Sequence, residues 1–234
     1  MPRPSQIFYL FIFCGLFTCA QCQPPAQAPP SDTRPANNRN AAVVTFTLDF
    51  PSSQPEHYSI RVPLEGPAHY ESNGRISPDS DATDNFNFEF TLSPETQAKI
   101  LALAAKAGFF EHDLDSHRKG LAFTGKKTLT YKDANHAGES TYNVPKNAAA
   151  QQLTDLFQNL SATLEFGHRL DYDRRYQKLA LDEELKRMEE MARDNLLSEV
   201  AAVRPILEQI VADQSIVNVA RVRAQRLLEA SGTH

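Results

Sequence analysis

The densest group of metal-binding residue types in the chain is the segment 111–117, with the sequence EHDLDSH. Its candidate ligands are His112, Asp113, Asp115 and His117. Imidazole and carboxylate groups at such short spacing can surround a Zn²⁺ or Ca²⁺ ion within one loop. The spacing matches neither the HExxH pair of zinc proteases nor the glycine-containing calcium loop. A polar loop that closes over a helix end explains the same residues, so both interpretations stay open.

Residues 120–128, GLAFTGKKT, nearly match the phosphate-binding loop GxxxxGK[ST]. That loop needs a hydroxyl directly after its lysine to bind Mg²⁺, and a helix behind it so that phosphates meet the helix N-terminus. Here Lys127 stands where the hydroxyl is needed, and the pattern that follows is that of a strand. We therefore predict a basic turn that enters a strand.

The remaining residue types indicate little chemistry. There is no GxSxG motif, and no cysteine follows Cys22 to serve as a nucleophile. Four histidines stand singly and are predicted to be surface or structurally satisfied groups: His57, His69, His136 and His168. Three carboxylates fall in one polar segment, where we expect solvated charge rather than a glycosidase pair: Asp79, Asp81 and Asp84. The sequence favours a non-catalytic protein without a cofactor.

Composition places the chain among folded soluble proteins, and its length allows one medium domain plus an extension, or two small domains. The chain has 234 residues, of which 41% are hydrophobic and 23% are charged. Its formal net charge is −5. Nothing in this balance points to a surface for nucleic acid, which would require clustered positive charge.

The first 20 residues are predicted to be a cleaved signal peptide. Arg3 precedes the apolar run 7–17, and small residues surround a cleavage site after Ala20. The alternative, an uncleaved membrane anchor, is disfavoured because a spanning helix needs about 20 apolar residues. We therefore expect a protein exported to the bacterial periplasm or secreted from the cell.

All three cysteines, Cys14, Cys19 and Cys22, lie in or directly after this signal. A lipoprotein signal is the alternative, with Cys19 as the lipidated residue and the membrane as an anchor. Residues 21–40 follow as a proline-rich, polar tether that is unable to form a core. The rest of the chain lacks cysteine, so its folded part is predicted to hold together without disulfides.

The best-formed element is a helix over residues 93–108. Ser93 is predicted to cap its N-terminus, and Pro94 suits the first turn. Gly108 is predicted to take the left-handed conformation that ends it. Phe109 and Phe110 then offer apolar area to the core.

Alternating apolar residues predict strands over 44–50, 58–64, 86–92, 126–131 and 140–144, with a short strand at His69 and Tyr70 before an Asn73-Gly74 turn. A second helix is predicted over 147–166. Clean alternation is typical of an antiparallel sheet with one solvated face. We therefore predict an α+β domain over 41–168, in which two helices cover an antiparallel sheet in two layers.

Residues 169–234 are predicted to form a separate helical hairpin or a three-helix extension. An apolar stripe runs over 181–200, and Pro205 is expected to break this long helix near Val203. Ser215 is expected to cap a last helix in which Ile216, Val219, Ala220, Ala224, Leu227 and Leu228 are buried. So small a helical unit buries little surface alone, so we expect it to pack on the first domain or on a partner.

Residues 57–166 resemble an uncharacterised family of bacterial exported domains of unknown function. The motifs that carry the resemblance are Tyr58-x-Ile60-x-Val62, Leu92-Ser93-Pro94-Glu95, Ala107-Gly108-Phe109-Phe110 and Thr124-Gly125-x-x-Thr128-x-Thr130-Tyr131. The resemblance implies an exported α+β domain and assigns no catalytic residue.

Taken together, the sequence predicts an exported, non-catalytic module of the cell envelope. It is expected to bind an unknown protein partner, or a second copy of itself, through the C-terminal helices. The alternative is a metal-binding protein or a metal-dependent hydrolase that uses the loop 111–117. A third possibility is a small-molecule carrier whose ligand lies between the sheet and the C-terminal helices.

Overall fold

The computed structural model describes residues 42–51, 53–75 and 83–232. The predicted signal and tether lie outside these residues, as do Cys19, Asp79 and Asp81. Within the described ranges, no helix combines the length and the apolar character needed to cross a membrane.

Within the described ranges, six antiparallel strands form one open sheet. In chain order they are β1 Val43–Asp49, β2 His57–Pro63, β3 Ala68–Arg75, β4 Thr83–Phe90, β5 Lys126–Lys132 and β6 Ala137–Tyr142. Their spatial order is β4-β3-β2-β1-β5-β6, so β4 and β6 are the edge strands. Burial alternates along β1, where Val44, Phe46 and Leu48 are buried between half-buried neighbours. One sheet face therefore meets the core, as the two-residue period of a strand requires.

Five helices complete the fold of the residues that the structure describes, and the predicted α+β class is confirmed. They are α1 Pro94–Lys106, α2 Ala148–Tyr176, α3 Leu181–Arg193, α4 Arg204–Ala212 and α5 Asn218–Ser231. Short 3₁₀ turns occur at Gly108–Phe110 and Val200–Val203. The rings of Phe157 in α2 and Phe46 in β1 stack with centroids 5.2 Å apart, and both side chains are fully buried. This stack joins the helical layer to the centre of the sheet.

Helix α1 begins as predicted. The Ser93 hydroxyl accepts a hydrogen bond from the Thr96 amide at 3.2 Å. The same residue also meets the C-terminal segment, because the Ser93 hydroxyl donates to a carboxylate oxygen of Glu199 at 2.7 Å. The chain beyond α3 therefore packs on the part of the protein that carries the sheet, as expected.

A left-handed turn follows α1. Gly108, Phe109 and Phe110 have φ angles of 69°, 52° and 63°. Left-handed backbone costs a residue other than glycine about 1–2 kcal/mol, so the surrounding packing must hold this turn in place. Phe110 is fully buried, and the Phe109 ring stacks on that of His136 with centroids 4.1 Å apart.

Two predictions around β3 are wrong. Asn73 and Gly74 form no turn but lie within β3, where Gly74 pairs with Asp84 of β4. Asp84 consequently belongs to a strand rather than to the polar loop in which we placed it. Cross-strand pairing along β3 and β4 outweighs the local preference of Asn-Gly for a turn.

The C-terminal helices also differ from the prediction. Helix α2 extends ten residues beyond the expected end, through residue 168, where we drew a domain boundary. Helix α3 ends at Arg193 instead of continuing towards Val203, and Pro205 begins α4 rather than breaking a longer helix. Proline suits the first turn of a helix because its missing N–H needs no partner there. Val217, not Ser215, is the N-cap of α5, and Val219 is 48% exposed instead of buried.

Candidate functional site

A polar cleft of about 550 Å³ lies between the β3–β4 end of the sheet, α2 and α3. Five carboxylates and two arginines line it, together with a histidine and two aromatic rings. Its charged, hydroxyl-bearing and aromatic lining side chains are Ser72, Asp84, Phe86, Glu165, His168, Arg169, Tyr172, Asp173, Glu183, Glu184 and Arg187. Concave sites with convergent polar groups are the usual places for ligand binding.

Helix α2 supplies the centre of the cleft. Glu165, His168, Arg169, Tyr172 and Asp173 are three, one, three and one residues apart. At 3.6 residues per turn, this spacing places all five on one face of the helix. The part of α2 that sequence reasoning left out of the helix is therefore the part that carries most of this face.

His168 is held by the edge strand β4. Its Nε2 lies 2.5 Å from Oδ2 of Asp84, and its ring stacks on Phe86 with centroids 4.1 Å apart. Both contacts fix the imidazole in one orientation. The residue was predicted to be a surface or satisfied histidine, and its pairing with Asp84 agrees with the second of these; it also forms one wall of the cleft.

Glu165 receives two hydroxyl donors from β3. Tyr70 and Ser72 each donate a hydrogen bond to its Oε1 at 2.7 Å. Burial, followed by the nearby charge of Glu165, raises the pKa of Tyr70, so the phenol stays a donor. Because Ser72 donates to Glu165 rather than to His168, the geometry does not form a serine–histidine pair for nucleophilic catalysis.

Glu184 of α3 pairs with both arginines of the cleft. Its side chain is only 4% exposed, and its Oε1 accepts from Arg169 Nε at 2.6 Å. Arg187 pairs with the other carboxylate oxygen. One buried carboxylate thus holds both guanidinium groups in place, and these contacts compensate its own burial. The arginines therefore offset only part of the negative charge of the cleft.

Asp173, a further carboxylate of the cleft, forms no ion pair among the described residues, although the charges of Arg169 and Arg187 act on it. Burial raises its pKa from 3.8 to about 6, with a further contribution from the charge of Glu184. Among the residues that the structure describes, none donates a hydrogen bond to this carboxylate. Strongly shifted carboxyl groups in clefts are typical of functional sites, because folding alone does not favour them.

The loop 111–117 forms a hydrogen-bonded turn. His117 Nε2 lies 2.7 Å from Oδ2 of Asp113, and the His117 amide donates to Asp115 Oδ1 at 2.6 Å. These contacts bring Asp113, Asp115 and His117 together, whereas His112 lies beside Gly108. Across the described ranges, no three His, Cys, Asp or Glu side chains are arranged to hold a metal ion. We therefore base no function on this loop.

Lys127, the second lysine of the GKK turn, is structural. Its side chain is buried, and its ammonium donates to the carbonyl oxygens of Thr124 and Asn143 at 3.0 Å each. Residues 126–132 form β5, as predicted, so no helix follows the turn to bind a phosphate.

The cleft residues carried one signal that sequence reasoning missed. The helical spacing of the preceding apolar stripe continues without a break into the polar residues at 165, 168, 169, 172 and 173. A helix continued to Tyr176 would have placed them on one face. Their partners on β3 and β4 are about 80 or more residues earlier in the chain, and no local pattern links the two sets.

Compared with known proteins, the chain matches none of the protein-family models, and no curated protein is similar enough to count as a relative. The resemblance of residues 57–166 to a family of exported domains therefore stays a prediction.

Proposed function

We propose that this protein is an exported binding module that takes a positively charged organic group into the cleft between α2, α3 and the β3–β4 end of the sheet. The observation that carries the proposal is the charge of this cleft. Five carboxylates line it against two arginines, and both arginines are held by one of those carboxylates, Glu184. The negative charge left over favours a cation. Export is supported by the sequence of the first 20 residues.

The remaining groups suit an amine rather than a bare metal ion. Asp173 offers a carboxylate that accepts no hydrogen bond from the residues the structure describes, and Tyr172 and Phe86 present aromatic rings in the same cleft. Ring faces attract organic cations when the cation sits within about 6 Å of the ring centre. A primary ammonium group has three N–H donors, and the carboxylate of Asp173 can accept from them.

The direct test is a nuclear magnetic resonance titration with butylamine, with 1-butanol as the neutral compound of matched shape. We expect butylamine to shift the signals of cleft residues and to saturate at a millimolar Kd, because so small a ligand has few atoms with which to gain affinity. Binding should weaken as the pH falls through about 6, where Asp173 takes up a proton.

Two variants on the same helix distinguish the cleft from general attraction to an acidic protein. Asp173→Asn should weaken butylamine binding at least about fivefold, since an ionic hydrogen bond contributes about 1 kcal/mol or more. Asp155→Asn removes an exposed carboxylate outside the cleft and should leave binding unchanged. Equal shifts with butanol, or equal losses in both variants, would contradict the proposal.

A docking surface on α5 is a second candidate, favoured by two exposed apolar side chains. Val219 and Val222 are 48% and 45% exposed, and their spacing of three residues places them on one face of the helix. This face supports the proposal that the C-terminal helices bind another protein or a second copy. Sedimentation velocity should show a dimer that Val219→Ser with Val222→Ser dissociates; a monomer at every concentration would exclude the second copy.

A further inference from the structure

A second cavity, of about 300 Å³, lies against α2 beside the acidic cleft and is mostly apolar. Strand β4 forms one wall through Phe86 and Phe88, and the segment that leads into α4 forms another. Its apolar lining consists of Phe86, Phe88, Leu164, Ala202, Val203, Pro205 and Ile206. A benzene ring occupies an apolar cavity of about 150 Å³, so this space accepts an aromatic ring.

Gly167 brings the walls of this cavity together. A Cβ atom at this position would lie 2.5 Å from Cγ1 of Val203, so only glycine lets the 3₁₀ turn approach α2 so closely. Phe86 and Phe88 pack against the core but stay half-buried on the side of the cavity. Apolar area is therefore left for a further group to cover, which is favourable at about 25 cal/mol per Å².

The acidic cleft and the apolar cavity share two lining side chains, Phe86 and His168. These rings are stacked on each other, and Asp84 fixes the histidine from the strand. Carboxylates lie on one side of the stacked pair, and aliphatic and aromatic groups lie on the other. On the apolar side, the charges of Asp171 and Arg175 are paired with each other at 2.6 Å.

We infer that the ligand is an amphipathic organic amine, whose ammonium group enters the acidic cleft while its apolar group fills the cavity on the other side of the Phe86–His168 pair. This inference rests on the proposed function, since it assumes that the cleft takes a cation. It adds the class of ligand: a compound with both a positive charge and an apolar group.

The test compares butylamine, 4-phenylbutylamine and 4-phenyl-1-butanol by nuclear magnetic resonance titration of the full chain. We expect 4-phenylbutylamine to bind about tenfold or more tightly than butylamine, because the ring buries apolar surface. Signals of residues that line the apolar cavity should shift only with the compounds that carry the ring. The neutral alcohol should bind more weakly than the matching amine.

Two alanines of the 3₁₀ turn supply matched variants. Ala202 lines the cavity, whereas Ala201 is exposed and does not. Ala202→Leu should fill the space and remove the gain from the phenyl ring while leaving butylamine binding unchanged. Ala201→Leu should keep the gain. Thermal unfolding of both variants checks that each is folded.

The outcomes separate this inference from the proposed function. If no amine binds, the proposed function fails and the inference falls with it. If butylamine binds but the phenyl ring adds no affinity, or if Ala202→Leu keeps the gain, only the inference is overturned.

Discussion

At about pH 7.5, replacing Asp173 with asparagine is expected to raise the free energy of unfolding by about 1–2 kcal/mol. Burial and the nearby charge of Glu184 raise the pKa of this carboxyl group to about 6. The folded protein therefore holds a charged group at neutral pH where a neutral group is favoured. Converted in full into a free energy of unfolding, this rise in pKa would correspond to about 3 kcal/mol. Solvent screening reduces the value because the side chain is only half-buried.

The sign of the pH dependence follows from the raised pKa. The folded chain binds the proton of Asp173 more tightly than the unfolded chain, whose value is 3.8. The contribution of this group to stability is thus complete below pH 3.8 and is lost as the pH rises through about 6. The contribution of asparagine to stability does not change with pH. The gain in unfolding free energy of Asp173→Asn over the wild type should therefore shrink towards zero as the pH falls to about 4.

Urea unfolding of the wild type and of Asp173→Asn at these two pH values measures the effect. Asp155→Asn serves as the control, since its carboxylate is exposed on the same helix, and it should change stability by no more than about 0.5 kcal/mol. A loss of stability in Asp173→Asn at neutral pH would contradict the prediction. A gain in stability combined with weaker amine binding would be the pattern of a residue that serves binding rather than folding.

Gly138→Ala is expected to lower the free energy of unfolding by about 3 kcal/mol, near the upper end of the usual cost of overpacking. A Cβ atom at this position would lie 2.3 Å from the carbonyl oxygen of Phe109 and 2.7 Å from the amide nitrogen of Glu111. Both are backbone atoms of the left-handed turn after α1, so no side-chain rotation relieves the overlap. Either β6 or the turn must move.

Chemical unfolding of Gly138→Ala against Gly74→Ala tests this requirement. Both glycines lie within strands, but a Cβ at Gly74 would make ordinary contacts of 3.6 Å with Pro55. Gly74→Ala should therefore be neutral or stabilise by up to about 1 kcal/mol, as alanine restricts the unfolded chain. Similar losses in both variants would show that the turn is not what requires glycine at position 138.

Where local signals agree, the sequence predicted the structure well. The Ser93 cap, Pro94 in the first turn and Gly108 after the last turn describe α1, and all three lie where expected. Along β1, the alternating pattern predicts that Val44, Phe46 and Leu48 face the core, and the sheet buries these three residues. In these elements, each residue interacts chiefly with neighbours that the local pattern already specifies.

Local signals failed where tertiary contacts compete with them. Asn73-Gly74 is a turn signal, yet it lies in β3 because β4 pairs along its length. Pro205 suits both a break and a first turn, and only the packing of α4 distinguishes the two. Helix α2 continues to Tyr176 although its apolar stripe gives way to polar residues, because that stretch contacts α3 and β4 through side chains such as Arg169 and His168.

By itself, the sequence determined the α+β class, the start of α1 and most of the strands, because helical and strand periodicities and caps are local properties. It pointed to the loop 111–117 for chemistry, since dense runs of ligand-type residues are also local. The acidic cleft was decided by the tertiary structure alone. Its parts come from β3, β4, α2 and α3, and the pairing of Asp84 with His168 joins residues that are 84 positions apart. Charge, burial and the shifted pKa of Asp173 exist only once these elements pack together, because each depends on neighbours that are distant in the chain.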